Sequence, residues 1–410
     1  NPITHMDIMK AFRQRSRITA IALALLTACG GDDDGGGPGV DPSPPPPPPA
    51  PPPPSLEVVA GGNNVADRYS SDLWVHGGYV YTGTYGGSNQ SGNRGDLVNI
   101  WALTTSGAPE LVDSVKVPSI GTVSDVEVSD DGALLMFSAE RDANEGLYVY
   151  SLADPRNPTS LDSELVPGGL HTATFSRIGG RLYAFAARNP PDPALMIFDA
   201  GDPESLDLVA EVPIPEFYGI HDTYVRDGLA FVFAWDTGVI IYDVGNGLRG
   251  GSPASPQEVS RLVTAAGEAP SSAVHNGWWF HNPNTGERRY LFIGQEGPGT
   301  IGSRASGDLH VVDVSDLENP REVASLRIAG AGAHNFWMDE EREILYAAFY
   351  NAGVVALDVS GTLSGDLTSR VIGRVAPGGA GNTYTWGVHL AAGSLYASDM
   401  LSGLWQLRLE

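Results

Sequence analysis

Basic residues, cysteine and long apolar runs are all scarce in this chain of 410 residues. Lysine and arginine together number 24 against 49 aspartates and glutamates, and the formal net charge is -25. The sequence therefore lacks the basic footprint of nucleic-acid binding, and it disfavours attachment to anionic lipid through the protein surface. The single cysteine, Cys29, excludes an intramolecular disulfide. No segment keeps a sustained helical period, and no apolar run has the length of a membrane-spanning helix.

The first 29 residues have the order of a targeting segment. A short apolar run, 18–26, and small residues before Cys29 follow a basic stretch that contains Lys10, Arg13, Arg15 and Arg17. The segment resembles a bacterial lipoprotein signal, in which the cysteine becomes the lipidated first residue of the mature chain. The resemblance implies a signal peptide at 1–28, a lipid anchor at Cys29 and, because Gly30 is not an aspartate, an outer-membrane location. An ordinary signal peptide with an incidental Cys29 is the alternative.

Residues 29–54 are rich in glycine, aspartate and proline and are expected to form a tether. Proline fixes φ and removes amide donors, so the run PSPPPPPPAPPPP favours an extended polyproline II rod. Such a rod would reach roughly 40 Å at the usual rise per residue. We expect the folded domain at 55–410, held away from a membrane by this spacer.

From Leu56 onward one pattern returns seven times. Its clearest part is a short strand after a glycine or small residue, found at 97–103, 146–152, 194–200, 238–244, 308–314, 353–359 and 403–409. Another apolar strand precedes each copy, and an alternating strand follows most of them. Units of roughly 50 residues with four short strands are typical of propeller blades.

The two ends of the repeated region predict a closed ring. The last unit ends at its third strand, whereas SLEVVA, residues 55–60, stands alone before the first unit. Pairing of these two segments would complete the ring, and an open solenoid would leave an edge exposed. We therefore predict an all-β fold, a seven-bladed β-propeller closed by an N-terminal strand that completes the last blade.

The third strands also carry a family resemblance. DLHVVDVSDLENPREVASL at 308–326 resembles the LVIVD repeat of bacterial extracytoplasmic propellers, and GVIIYDV at 238–244 and GVVALDV at 353–359 are similar. The first and last units depart from the repeat, with Ala102 and Arg408 at the position of its aspartate. The resemblance implies a propeller fold and an envelope location, and it brings no established activity.

One repeat position carries the candidate site. The first strand of a propeller blade lines the central channel, so the residue at its start lies at the channel mouth. This position is occupied, in chain order, by Asp72, Asp125, His171, His221, His275, His334 and Trp386 or its neighbour Thr385. Asp222, Asn276 and Asn335 follow three of the histidines. Two long loops, 83–96 and 295–307, are expected to overhang the same face.

The four histidines admit three interpretations. The one that the sequence favours is structural, with each imidazole bonded to a carbonyl or an aspartate of a neighbouring blade. In the second, the histidines contact a small molecule or a peptide. In the third, His171, His221, His275 and His334 hold a divalent metal, for which imidazole suits zinc, copper, iron or nickel.

Together these features predict a monomeric, lipid-anchored envelope propeller that binds or scaffolds through its channel mouth. Its partner would be an envelope protein or a small molecule and not a nucleic acid. The alternative is a propeller enzyme, a metal-dependent hydrolase or oxidase that uses the histidines. The chain contains no G-x-S-x-G elbow, P-loop or H-E-x-x-H motif, so no sequence motif favours catalysis.

Overall fold

Short β-strands make up nearly all regular structure in the computed structural model, which describes residues 55–63, 68–86, 94–104, 108–215 and 218–410. The predicted signal peptide and tether, including Cys29, lie outside these residues. One 3-10 turn, Thr368–Arg370, is the helical element among the described residues. No helix in this part of the chain has the length and hydropathy needed to cross a membrane.

Each of blades 1 to 4 is an antiparallel sheet of four strands that follow one another in sequence, after an opening strand β1 (Leu56–Asn63). These strands are β2 (Tyr69–His76), β3 (Tyr79–Tyr85), β4 (Leu97–Ala102) and β5 (Glu110–Lys116); β6 (Thr122–Val128), β7 (Leu134–Glu140), β8 (Gly146–Ser151) and β9 (Thr159–Leu165); β10 (Leu170–Ile178), β11 (Arg181–Arg188), β12 (Ala194–Asp199) and β13 (Asp207–Pro213); β14 (Asp222–Arg226), β15 (Leu229–Phe233), β16 (Val239–Asp243) and β17 (Gln257–Leu262).

Blades 5 to 7 add a small hairpin and a short extra strand to this plan. Their strands are β18 (Val274–Trp279), β19 (Tyr290–Gln295), the hairpin β20 (Gly297–Thr300) and β21 (Arg304–Ser306), β22 (Leu309–Asp313) and β23 (Arg321–Leu326); β24 (Phe336–Asp339), β25 (Ile344–Ala348), β26 (Val354–Asp358), β27 (Gly365–Asp366) and β28 (Val371–Val375); β29 (Thr385–Ala391), β30 (Ser394–Asp399) and β31 (Gly403–Leu409). β27 pairs in parallel with β23 of blade 5, and β28 is the outer strand of blade 6.

The first described strand completes the last blade. β1 pairs antiparallel with β31, with Leu56 opposite Leu409, and the amide of Glu410 donates to the carbonyl of Ser55 at 3.0 Å. Leu56 is buried in an apolar cluster between blades 6 and 7, a contribution of about 2 kcal/mol for a side chain of this size. The predicted seven-bladed propeller, closed by an N-terminal strand, is confirmed.

Packing between neighbouring blades explains why the middle strands are apolar at consecutive positions. Every residue of β7 and of β15 is buried, because both faces of these sheets are covered by adjacent blades. The outer strand β13 instead mixes exposed and half-buried residues. This contrast produced the repeating pattern from which the blades were predicted.

A β-bulge recurs at the start of the inner strand in five blades. The register shifts between Ser70 and Leu73, Val123 and Val126, Leu170 and Ala173, Val274 and Asn276, and Thr385 and Gly387. These short stretches contain Asp72, Asp125, His171, His275 and Trp386. Because a bulge bends the strand and re-aims its side chains, it turns these residues out of the regular alternation of the sheet. His221 and His334 stand immediately before β14 and just ahead of β24.

Candidate functional site

The four histidines of the repeat position form one continuous arc across blades 3 to 6. The ring centroids of His171 and His221 are 4.2 Å apart, those of His221 and His275 3.8 Å, and those of His275 and His334 4.1 Å. Four separate sheets therefore bring their imidazoles into direct contact. We call these four residues the histidine arc.

Two histidines have their Nδ1 atoms held by oxygens. His334 Nδ1 donates to the carbonyl oxygen of Trp386 at 2.6 Å, and His275 Nδ1 donates to Asn276 Oδ1 at 3.3 Å. Since both oxygens can only accept, the proton is on Nδ1 and the lone pair is on Nε2 in the neutral ring. His275 Nε2 is buried and has no hydrogen-bond partner among the described residues.

His221 is buried beside the same carboxylate. Its Nδ1 has no hydrogen-bond partner among the described residues, and its Nε2 lies 3.9 Å from a carboxylate oxygen of Glu296. The structural interpretation made from the sequence accounts for one contact well, the bond from His334 to the carbonyl of the next blade. It leaves His221 Nδ1 and His275 Nε2 without hydrogen-bonded partners among the described residues.

Burial keeps three rings of the arc neutral. Loss of hydration, followed by the neighbouring histidines, holds the pKa of His221 and of His334 well below the usual range. Burial is also the main cause that lowers the pKa of His275 to about 4. A neutral imidazole keeps the lone pair that a hydrogen bond or a metal needs.

His171, at the end of the arc, is different because it belongs to an ion pair. Its Nδ1 lies 3.2 Å from Glu140 Oε2, which also accepts from Asn189 Nδ2 at 2.7 Å. Burial opposes charge on both partners, but their attraction prevails: the pKa of His171 is raised, and that of Glu140 is lowered to about 2. The Nδ1 side of this ring is therefore committed to the Glu140 carboxylate.

Glu296 completes the site, and the sequence analysis did not single it out. Its Oε2 lies 3.7 Å from His275 Nε2, and its Oε1 accepts a hydrogen bond from the Tyr350 hydroxyl at 2.6 Å. The side chain of Glu296 is 26% exposed, so the group reaches solvent while it faces the buried rings. His221, His275 and Glu296 place one potential metal-ligating atom each within 4.8 Å of one another.

A second repeat position surrounds the arc, and its sequence signal was available. The residue at the end of each second strand, or within two residues after it, is in chain order Tyr85, Glu140, Arg188, Trp235, Glu296, Tyr350 and Met400. The Trp235 ring lies 4.8 Å from that of His221, and the Tyr350 ring 4.6 Å from that of His334. Trp235 and Tyr350 have φ values of 44° and 39°, a left-handed conformation that costs energy in a bulky residue. Aligning the second strands as well as the first would have predicted this ring.

The two aspartates of the repeat position are bonded to one another and to the inner strands. Asp72 shares a hydrogen bond with Asp125, and its Oδ1 also accepts from Asn335 Nδ2 at 2.8 Å. Asp125 Oδ2 accepts the amide of Ala173 at 2.9 Å. These bonds link blade 6 to blades 1, 2 and 3 across the channel. Gly387 permits the link, because a Cβ there would lie 2.7 Å from Asp72 Oδ1.

Burial makes this carboxylate side of the channel reluctant to ionise. It is the first cause that raises the pKa of Asp72 and of Asp125, and the charge of Asp125 adds to it at Asp72. The pKa of Asp222 rises to about 7 for the same reasons, and that of Glu127 lies well above its usual range. A buried group of carboxyls with raised pKa values therefore lies on this side of the channel.

Trp386 lies in an apolar cluster rather than among free polar groups. It packs with Ala305, Tyr350, Tyr384 and Met400, and the mouth hairpin β20–β21 contributes both Ala305 and the adjoining Ile301. The expected overhang of the loop 295–307 thus takes the form of a hairpin seated on aromatic rings. Residues 87–93 of the other long loop lie outside the described residues.

Deeper along the inner strands, a row of aromatic rings crosses the channel. Trp337 lies 5.6 Å from Trp74 and 5.4 Å from Trp278, and it stacks on His389 at 3.6 Å between centroids. Trp278 Nε1 donates to Glu340 at 3.2 Å. The row gives the channel an apolar floor beneath the polar mouth.

A sizeable cleft elsewhere in the fold is not lined by the residues of the channel mouth. A cleft of about 520 Å³ lies between blades 2 and 3, at the turns that join first and second strands. Its arginines are already paired, Arg177 with Asp130 and Asp131, and Arg181 with Asp199. The unsatisfied polar atoms at the mouth, rather than the size of a cavity, therefore identify the candidate site.

Comparison with known proteins supports the propeller fold and shows no family or activity. No family model and no curated protein matches the sequence. Raptor from Chaetomium thermophilum is similar in structure, with a TM-score of 0.58 and 11% identity over 87% of this chain, which spans 29% of the Raptor chain. The β-propeller domain of Cps50 (Swd1) from Myceliophteria thermophila gives 0.57 and 11%, with 86% of this chain and 98% of that domain covered. At such identities the likeness shows a β-propeller and no shared activity.

Proposed function

We propose that this chain is a lipid-anchored protein of the bacterial envelope whose propeller binds its ligand at the channel mouth. One observation supports the channel mouth as the binding face. His275 Nε2 has no hydrogen-bond partner there among the described residues, and the partly exposed carboxylate of Glu296 faces it. Most other charged groups named above are satisfied by neighbours. Ligand-binding residues on a rigid scaffold usually have polar atoms that make no hydrogen bond within the protein itself.

The envelope location follows from the two resemblances in the sequence. The segment before Cys29 is similar to a lipoprotein signal, and the third strands are similar to LVIVD repeats. The polyproline spacer would let the propeller stand off the membrane as a monomer and meet an envelope protein or a small molecule. Propellers that are similar in fold are compatible with a scaffolding role for a protein partner.

The anchor can be tested by cell fractionation. Cys29→Ser in the full chain should move the protein from the membrane fraction to the soluble fraction, because a single acylated cysteine is the proposed attachment. A soluble wild type, or a variant that stays with the membrane, would contradict the anchor. This result does not bear on the binding face.

The binding face can be tested by site-specific photo-crosslinking in cells. A crosslinking residue at Ser303, exposed at the tip of the mouth hairpin, is compared with one at Ala392, exposed in the turn between β29 and β30. We expect a defined adduct from Ser303 and none from Ala392, and a weaker adduct when Glu296→Gln is added. Equal labelling from both faces, or an adduct indifferent to Glu296, would overturn the assignment.

A propeller enzyme is the second candidate, and the triangle of His221, His275 and Glu296 is the observation that favours it. Two imidazoles and a carboxylate are the ligand set of several hydrolytic and oxidative metal centres. The enzyme interpretation therefore depends on metal binding.

A further inference from the structure

Three atoms, one from blade 4 and two from blade 5, converge at the mouth without hydrogen bonds to one another. The distance from Glu296 Oε2 to His275 Nε2 is 3.7 Å, and to His221 Nε2 it is 3.9 Å. Both exceed the range of a hydrogen bond. Yet two ligands of a tetrahedral zinc ion are about 3.4 Å apart, given metal–ligand bonds of about 2.0 to 2.1 Å. The two edges that involve Glu296 are longer than this by about 0.3 and 0.5 Å, and all three ligand atoms lie within 4.8 Å of one another.

We propose that His221, His275 and Glu296 bind one divalent transition-metal ion at the channel mouth. This inference deepens the proposed function, on which it rests for the choice of face, by naming the chemical class of the ligand. It differs from the four-histidine metal site that was the third interpretation of the sequence, because a carboxylate of the hairpin loop replaces two of the imidazoles.

Two of the three ligands have outer-shell support. Metal-bound histidines usually donate their other nitrogen to an oxygen, which fixes the ring and its tautomer. His275 does so through Asn276 Oδ1, whereas His221 Nδ1 has no such partner among the described residues. The Tyr350 hydroxyl holds one oxygen of Glu296 at 2.6 Å and leaves the other to face the imidazoles.

The other two members of the arc have different roles. His171 is committed through Nδ1 to its contact with Glu140 at 3.2 Å, and it borders the site at the end of the arc. His334 uses Nδ1 on the carbonyl of Trp386, and its ring packs against His275 at 4.1 Å. No atom of His334 or His171 joins the group within 4.8 Å.

The donor set selects the class of metal. Two neutral nitrogens and one carboxylate suit zinc or ferrous iron, whereas magnesium and calcium prefer oxygen donors alone. Three protein ligands leave at least one coordination position open. The 26% exposure of Glu296 places that position toward the mouth, where a substrate or a ligand atom of a partner would arrive.

The test is titration of chelator-treated, purified full-length protein with Zn²⁺ by calorimetry, and with Co²⁺ by visible spectroscopy. Wild type should bind one ion and give the intense absorption of a low-coordinate Co²⁺ site. His275→Gln and Glu296→Gln should each weaken binding by about 100-fold or more, and Tyr350→Phe by about tenfold. His389→Gln, which changes a buried histidine outside the triangle, is the matched control and should leave affinity unchanged.

Circular dichroism and thermal unfolding of each variant separate lost ligands from lost folding. Failure of a folded wild type to bind Zn²⁺, or affinity that survives both His275→Gln and Glu296→Gln, would overturn the metal site. Crosslinking from Ser303 needs no metal, so it can succeed when this titration fails. The two proposals can therefore be rejected independently.

Discussion

The two halves of the channel mouth use the same repeat position in opposite ways. On blades 3 to 6 it holds histidines, and His275 keeps an outer nitrogen that no hydrogen bond occupies. On blades 1 and 2 it holds Asp72 and Asp125, whose oxygens bond to each other, to Asn335 and to the amide of Ala173. The position in the repeat thus determines where a side chain lies. The chemistry of the side chain determines whether its polar atoms are used in hydrogen bonds within the fold. The aspartate half is expected to matter for stability and the histidine half for binding.

The largest predicted effect is on the aspartate half. Asp125→Ala removes the acceptor of the Ala173 amide and the partner of Asp72, so polar groups inside the channel are left unpaired. We expect the free energy of unfolding to fall by about 2 to 3 kcal/mol, since an orphaned polar group costs about 1 to 3 kcal/mol. Urea denaturation of the full chain measures the change.

The matched change on the histidine half is His275→Gln, which keeps a neutral polar group of similar length. Because His275 Nε2 has no partner in the metal-free protein, the loss should stay below about 1 kcal/mol. A loss as large as that of Asp125→Ala would abolish the distinction between the halves and favour the structural interpretation of the arc.

Gly387→Ala tests the link that crosses blade 7. Its Cβ would lie 2.7 Å from Asp72 Oδ1 and 3.0 Å from Leu73 Cδ2, so Asp72 must move away from Asn335. The expected cost is about 1 to 2 kcal/mol, typical of overpacking, and appears as a lower Tm. In an Asp72→Ser background the clash is relieved and the cost should shrink; strictly additive costs would show that the two residues do not interact.

Asp72→Asn gives a smaller effect that depends on pH. The pKa of Asp72 in the folded protein lies above its ordinary value of 3.8, so the stability associated with its neutral form is present below that value and is lost as pH rises through the folded pKa. Asparagine stays neutral and can still accept from Asn335. The variant should therefore be more stable than wild type at pH 8, with the difference vanishing near pH 4. Measurement of Tm for both proteins from pH 4 to 8 tests this expectation. A difference in Tm that does not change with pH would contradict the raised pKa of Asp72.

Several features were predictable because they follow from burial that repeats with the blades. The middle strands are covered on both sides, so segments such as β8 and β16 appear in the sequence as apolar runs after a glycine. Leu56 was recognisable as part of a missing outer strand because SLEVVA, residues 55–60, stands alone before the first repeated unit. The coincidence of four histidines at one aligned position was likewise visible, because the period identifies equivalent residues without coordinates.

The partners of the site residues were not predictable in this way. Glu296 shares its aligned position with Tyr85, Trp235 and Tyr350, so no common residue type marks it. The bond from Asn335 to Asp72 joins residues far apart in sequence, and it depends on the missing side chain of Gly387. Trp386 was expected to line the mouth as a binding residue, yet its ring packs with the hairpin and its carbonyl holds His334.

The amino-acid sequence alone determined the period, the number of blades, the closure of the ring and the blades on which the histidines stand. These follow from local hydrophobic patterns that every blade repeats. Only the tertiary structure decided which ring nitrogens are free, which carboxylate faces them and which aspartates are tied to the fold. Such contacts join side chains from separate sheets, and their distances depend on how bulged inner strands pack around one axis, which no local pattern records.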